Sequence, residues 1–198
     1  MSPFLFAVPG IPNTPDLYAK VHPDRVKKFP SSGKKLFIDT DEDLIINPKK
    51  LMNKSPDDKW RQGLEHDTES VFWLLLYWAM VVQPEKCSKE KIDAASWADL
   101  NGSHVSRQNL LFVAGQGMTG NLTHSVYRLL RPLINDLAAN FVIDGHWLPV
   151  SDLRKDPFYI IEAFQRLILN FIIDNRGKEF MDHPIEKTFR EVREVQGI

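Results

Sequence analysis

The sequence predicts a mainly α-helical domain, a bundle built around one buried central helix at about residues 67–82, with a short hairpin near the amino terminus. Three observations carry the prediction. Every residue from Val71 to Val82 is apolar or aromatic, a run shorter than the roughly 20 residues of a bilayer span and too long for an ordinary strand. Two later stretches, 123–140 and 156–173, repeat apolar residues at helical spacing. Strand and helix patterns do not alternate in the way that would build a parallel sheet.

At 198 residues and 43% hydrophobic content the chain can form one domain with its own core. Three regions are expected: an extended or irregular segment over 1–65 that packs on the core, a helical domain over 66–183, and a charged tail over 184–198. The first 15 residues hold four prolines and read as extended chain, with Phe4, Leu5, Phe6 and Val8 able to lie across a groove. Asp16 to Phe29 reads as two short helical turns broken at Pro23. Leu36-Phe37-Ile38 and Leu44-Ile45-Ile46 are expected to pair as the hairpin, and 53–64 is polar and irregular.

The central helix has Asp67 as its expected N-cap, accepting from the backbone N–H of Ser70, with Glu69 favourable in the first turn. Phe72, Trp73, Leu75 and Leu76 are its expected core residues, and Gln83-Pro84 ends it. A polar helix is expected over Ser88–Leu100, with Ile92, Ala95 and Trp97 inward, and a shorter helix or strand over Ser106–Val113. In 123–140, Thr123 caps a helix with Val126, Leu129, Leu130, Leu133, Ile134 and Leu137 on one face, and Pro132 must bend it. Asp156 caps the last long helix, with Pro157 at its first position. The tail from Pro184 is read as a loosely docked helix.

The segment from His66 to Leu75 resembles the long central helix of the C-terminal lobe in fungal-type protein kinases. Relatives there read His-Asp-(Leu/Val)-Glu-Ser-(aliphatic/Phe)-(Phe/Tyr)-Trp-x-Leu, and His66, Asp67, Glu69, Ser70, Val71, Phe72, Trp73 and Leu75 fit, while Thr68 departs. Upstream, Pro15-Asp16-Leu17-Tyr18-Ala19-Lys20, Asp24-Arg25 and Lys28-Phe29-Pro30 are similar to the linker before that helix. The resemblance spans roughly 1–85 and is densest at 66–83. It implies a kinase-like C-lobe from near the end of the activation segment onward, in which Asp67 is a structural anchor.

A kinase needs a Gly-rich loop and strand Lys for the phosphates, a catalytic Asp and a metal-binding Asp. No Val-Ala-Ile-Lys, His-Arg-Asp-x-x-x-x-Asn or Asp-Phe-Gly occurs in the chain. His22-Pro23-Asp24-Arg25 has the catalytic-loop residue types in scrambled order, and Phe29 stands where a metal-binding Asn belongs. Gly115-Gln116-Gly117-Met118-Thr119-Gly120 satisfies a dinucleotide fingerprint, with Asp144 as the ribose acid. Thr123 caps the following helix only after the third glycine, however, whereas phosphate binding needs the helix N-terminus beside the glycines. The six His show no metal-ligand spacing, and the single Cys87 has no disulfide partner.

With 25 Lys and Arg against 26 Asp and Glu, net charge −1 makes no global electrostatic case for nucleic acid or an anionic membrane. The prolines and the lack of a basic leader make the amino terminus a poor signal peptide, so an intracellular location, cytoplasmic or nuclear, is expected. The sequons at Asn101 and Asn121 then read as chance matches. The function expected is a non-catalytic relative or fragment of the kinase family, acting as a protein-interaction module. No catalytic, cofactor-binding or metal-binding residue is assigned to this chain. The alternative is part of an active Ser/Thr-type kinase, with ATP and Mg bound only if the missing half is present. A third reading is a dinucleotide-binding enzyme using Gly115 to Gly120. One side of the central helix is expected to lack cover, Pro3 to Val8 filling it in part and a protein partner or second copy taking the rest.

Overall fold

The computed structural model describes residues 6–8, 11–32, 36–38, 64–115, 117, 122–142, 156 and 158–193. Among these the fold is mainly helical, in the order β1 (Phe6–Val8), α1 (Asp16–Val21), α2 (Pro23–Lys28), β2 (Leu36–Ile38), α3 (Leu64–Val81), β3 (Val82–Pro84), α4 (Ala94–Asn101) and α5 (His104–Gly115). A 3₁₀ segment (Ser125–Leu130), α6 (Arg131–Val142), α7 (Tyr159–Asn175), a 3₁₀ turn (Glu179–Met181) and β4 (Ile185–Phe189) follow. Among the described residues no helix is long and apolar enough to cross a membrane.

The central helix is α3, and it packs against α6 and α7. Phe72, Leu76, Ala79 and Met80 are fully buried there with Ile134, Leu137 and Ala138 of α6 and Phe164 of α7. Phe72 meets Phe141 edge-on at 5.8 Å, and Phe141 meets Phe164 at 5.0 Å. Phe72→Ala should therefore cost about 3–5 kcal/mol, read as a lower midpoint in urea unfolding. A loss below about 1 kcal/mol would mean that the ring does not fill the core.

Several expectations change. The described helix already includes Leu64, so Asp67 lies inside it and is not its N-cap. Ser70 Oγ donates to the His66 carbonyl at 2.8 Å. Trp73 and Leu75 are only partly buried, and Trp73 Nε1 donates to Glu69 Oε1 at 2.9 Å, since an indole N–H needs a partner. The helix stops where expected, Val82-Gln83-Pro84 turning into β3.

The strand at Leu36–Ile38 pairs antiparallel with β1, Phe6 opposite Ile38 and Val8 opposite Leu36. Its expected partner, 44–46, lies outside the described residues, as do 53–63. The polar helix starts at Ala94, not Ser88, because Asp93 is the side chain that caps it, accepting from Ser96 N at 2.9 Å. Ile92 is buried as expected, but through a bridge to Val192. The segment over 106–113 is helix. The break expected at Pro132 falls just before it: a 3₁₀ segment ends at Leu130, and α6 starts at Arg131 with Pro132 in the first turn, where no N–H is needed. His124 Nδ1, not Thr123, accepts from Val126 N at 3.2 Å at the start of that 3₁₀ segment.

Asp156 Oδ1 accepts from Phe158 N at 3.0 Å at the start of α7. Among the described residues the carboxy-terminal region, 184 through 193, holds a strand and not a helix. β4 runs antiparallel to β3, Val82 opposite Phe189 and Pro84 opposite Ile185, a pairing made by the backbone while Ile185 and Phe189 both stay exposed. In the amino-terminal region α1 and α2 are the two turns expected around Pro23, and Ile11 and Phe29, which flank them, are buried with Tyr159 and Ala163 of α7.

Candidate functional site

The central helix is not buried on all sides. At about 100° per residue, Asp67, Val71, Leu74 and Trp78 fall on one stripe with Ser70 and Tyr77 beside it, and all six are exposed. Leu74 is 69% exposed and Val71 47%. Their spacing of four, three and four residues is that of the seam by which two helices pack. The core needs only the opposite face, where Phe72, Leu76 and Ala79 sit.

Along one edge of the stripe runs an apolar groove of 290 Å³. Val71, Leu75 and Trp78 form one wall, with Leu130, Phe171 and Phe180 among the residues opposite. Phe171 and Phe180 meet edge-on at 6.1 Å, and Trp78 lies 5.2 Å from the ring of Tyr127. The Tyr127 hydroxyl is buried with no hydrogen-bond partner among the described residues, and burial, with the Cys87 thiol nearby, raises its pKa. Such walls can take up apolar surface and offer no acid, base or nucleophile poised for chemistry.

The predicted site residues divide between the two faces: Phe72 and Leu76 in the core, Asp67 and Ser70 on the open side, Trp73 and Leu75 between them. The glycine fingerprint does not hold as a dinucleotide site, because Leu110–Gly115 is the end of helix α5 and not a strand. Gly117 takes φ +79, a turn conformation open to glycine; 118–121 and Asp144 lie outside the described residues. His22 and Pro23 separate two helical turns, with Asp24 and Arg25 on the exposed α2.

One pairing escaped the sequence reading. Cys87 Sγ lies 3.4 Å from His183 Nε2, across nearly a hundred residues, and the same nitrogen lies 3.1 Å from the Glu85 carbonyl. A carbonyl only accepts, so Nε2 carries its proton and is no base for the thiol. Only β3–β4 pairing brings the two together, and no spacing signals it. Among the described residues no group of three or more His, Cys, Asp or Glu could hold a metal ion. The chain matches no protein-family model, no curated protein and no solved structure.

Proposed function

We propose that the chain is a non-catalytic protein-interaction module, equivalent to the lower part of a kinase C-lobe, that docks through the open face of its central helix. The observation that carries this is the exposed Val71–Leu74–Trp78 stripe beside an apolar groove. Leaving several large apolar side chains in water forfeits roughly 1.5–3 kcal/mol each. A second copy of the chain is the occupant. The four-three-four spacing suits packing of the helix against its own copy about a twofold axis, in which each stripe meets the same stripe. The resemblance at 66–83 supports the kinase-like part of the reading, and α6 and α7 pack on one side of α3, as the later helices of such a lobe are expected to do.

Light scattering across a concentration series tests it. The full chain should form a dimer, and Leu74→Glu with Trp78→Glu should return it to monomer with its helical circular dichroism unchanged. A wild-type chain that stays monomeric at every concentration would sink the self-docking reading. The active-kinase reading is checked in the same samples with Mg-ATP. Ligand at 100 times its Kd would stabilise the fold by about 2.7 kcal/mol, so a saturable rise in Tm would replace the non-catalytic reading with that one.

A further inference from the structure

A second cavity, polar and open, has a volume of 520 Å³. Five of its lining side chains are cationic, Lys89, Lys91, Arg131, Arg190 and Arg193, against two carboxylates, Glu90 and Asp93. The carboxylates are engaged by their own neighbours. Asp93 Oδ2 accepts from Ser96 N and Ser96 Oγ, both at 2.9 Å, and the backbone bond above all holds its carboxyl below the usual range. Burial pushes Glu90 up, but hydrogen bonds from Ser125 Oγ and N, with His124 and Arg190 nearby, outweigh it and leave its pKa lowered. Both are therefore anions at neutral pH, and the cations still outnumber them.

The cations are less well matched. Lys91 pairs with Glu191 at 3.4 Å. Arg190 is buried and donates to four backbone carbonyls, which bear no formal charge; burial lowers its pKa, and the nearby Glu90 opposes this. No carboxylate among the described residues lies within ion-pair distance of it. Arg193 lies near enough to Asp93 to help lower its pKa, but neither it nor Lys89 makes a side-chain hydrogen bond or ion pair among the described residues. Thr123, 2% exposed, accepts from Arg131 Nε through Oγ1 at 2.9 Å, which leaves its hydroxyl proton to donate.

We infer that this cavity binds a small phosphate monoester, held by Lys89 and Arg193 with the Thr123 hydroxyl as a neutral donor. The class follows from the chemistry of the walls. A phosphate monoester carries a charge of about −1.5 to −2 at pH 7 and three acceptor oxygens, which suits a cavity lined by five cationic side chains and two carboxylates. The Arg fork suits it geometrically, and Lys supplies a point charge. The volume falls among small-ligand sites, roughly 300–1,000 Å³, leaving room for the organic part of the ester. With a net charge of −1 over the whole chain, the attraction is confined to this cavity.

Isothermal titration calorimetry on the full chain, at matched ionic strength, tests the inference with phenyl phosphate, inorganic phosphate, acetate and a short single-stranded oligonucleotide. Phenyl phosphate should saturate one site and bind more tightly than inorganic phosphate, with acetate giving no saturable heat. Lys89→Glu and Arg193→Glu, both at exposed positions, should each weaken it by about tenfold or more with unchanged thermal unfolding; Lys89→Gln should weaken it less. Equal affinity for phenyl and inorganic phosphate would overturn the assignment to an ester. Affinity unchanged in both reversed variants, or binding shown by the oligonucleotide but not by phenyl phosphate, would overturn the site.

Discussion

Glu162→Ala should destabilise the protein by about 3–5 kcal/mol, the cost of stranding one member of a buried ion pair. Glu162 and Arg166 are 1% and 0% exposed, one helical turn apart on α7. Glu162 Oε1 takes Arg166 Nε at 2.9 Å and lies 2.7 Å from Nη2, while Oε2 accepts from the Tyr18 hydroxyl at 2.7 Å. Arg166 Nη1 reaches the Pro12 carbonyl and Ser31 Oγ, both at 3.4 Å. The pair is therefore a junction between α7 and residues 12–31. Removing the carboxylate leaves a buried guanidinium uncompensated, and the damage should appear first as protease cleavage within 11–32. Glu162→Leu with Arg166→Met removes both charges and should recover much of the loss. Wild-type urea unfolding in Glu162→Ala, or a double variant as weak as the single one, would show that the pair does not hold this junction.

The second large effect is expected at Arg190. Its Nη1 donates to the Met80 carbonyl at 2.8 Å and the Leu122 carbonyl at 3.3 Å, both in buried surroundings, while Nε and Nη2 take Glu90 O at 3.0 Å and Lys91 O at 3.3 Å. One side chain thus ties the end of α3, the stretch before α4 and the entry to the 3₁₀ segment. Arg190→Met keeps the apolar stem and strands the two buried carbonyls, at about 1–3 kcal/mol each. A loss of about 2–6 kcal/mol in urea unfolding is expected. Arg190→Lys, with three donors and no planar fork, should fall between wild type and the Met variant. Equal stability of Arg190→Met and wild type would mean that water satisfies those carbonyls.

Both residues show where the sequence was legible. The long apolar run and the spacings in 123–140 and 156–173 place the helices, because burial of one face leaves a period that a single chain displays. Which face of α3 stays open is not legible: Leu74 and Leu76 are the same residue type, and only the packing of α6 and α7 separates them. Glu162 and Arg166 look like an ordinary exposed ion pair at helical spacing until Tyr18, 144 residues away, is placed over them. Arg190 sits in a run of charges that reads as solvated tail. Ile185, Phe189 and Val192 stand among Glu, Lys and Arg, and the first two stay exposed in the strand, so charge masks a pairing that the backbone makes. The same masking hid the polar cavity, whose residues come from 89–93, 123–131 and 190–193 and meet only in the fold.

The pairing of β4 with β3 also sets an order of events. Residues 184–193 lie along 81–92 through Arg190 N to Val81 O, Glu191 O to Ile92 N and Arg193 N to Ile92 O, each at 2.8 Å. Strips separated by about a hundred residues close a long loop, whose entropy must be met before any of these bonds repays it. The helices can gather from local contacts before this long-range strip is in place. Until it arrives, the Met80 and Leu122 carbonyls have no arginine to accept from. Residues 184–193 thus act as a latch, and until they close the helical core keeps an open seam at Met80 and Leu122.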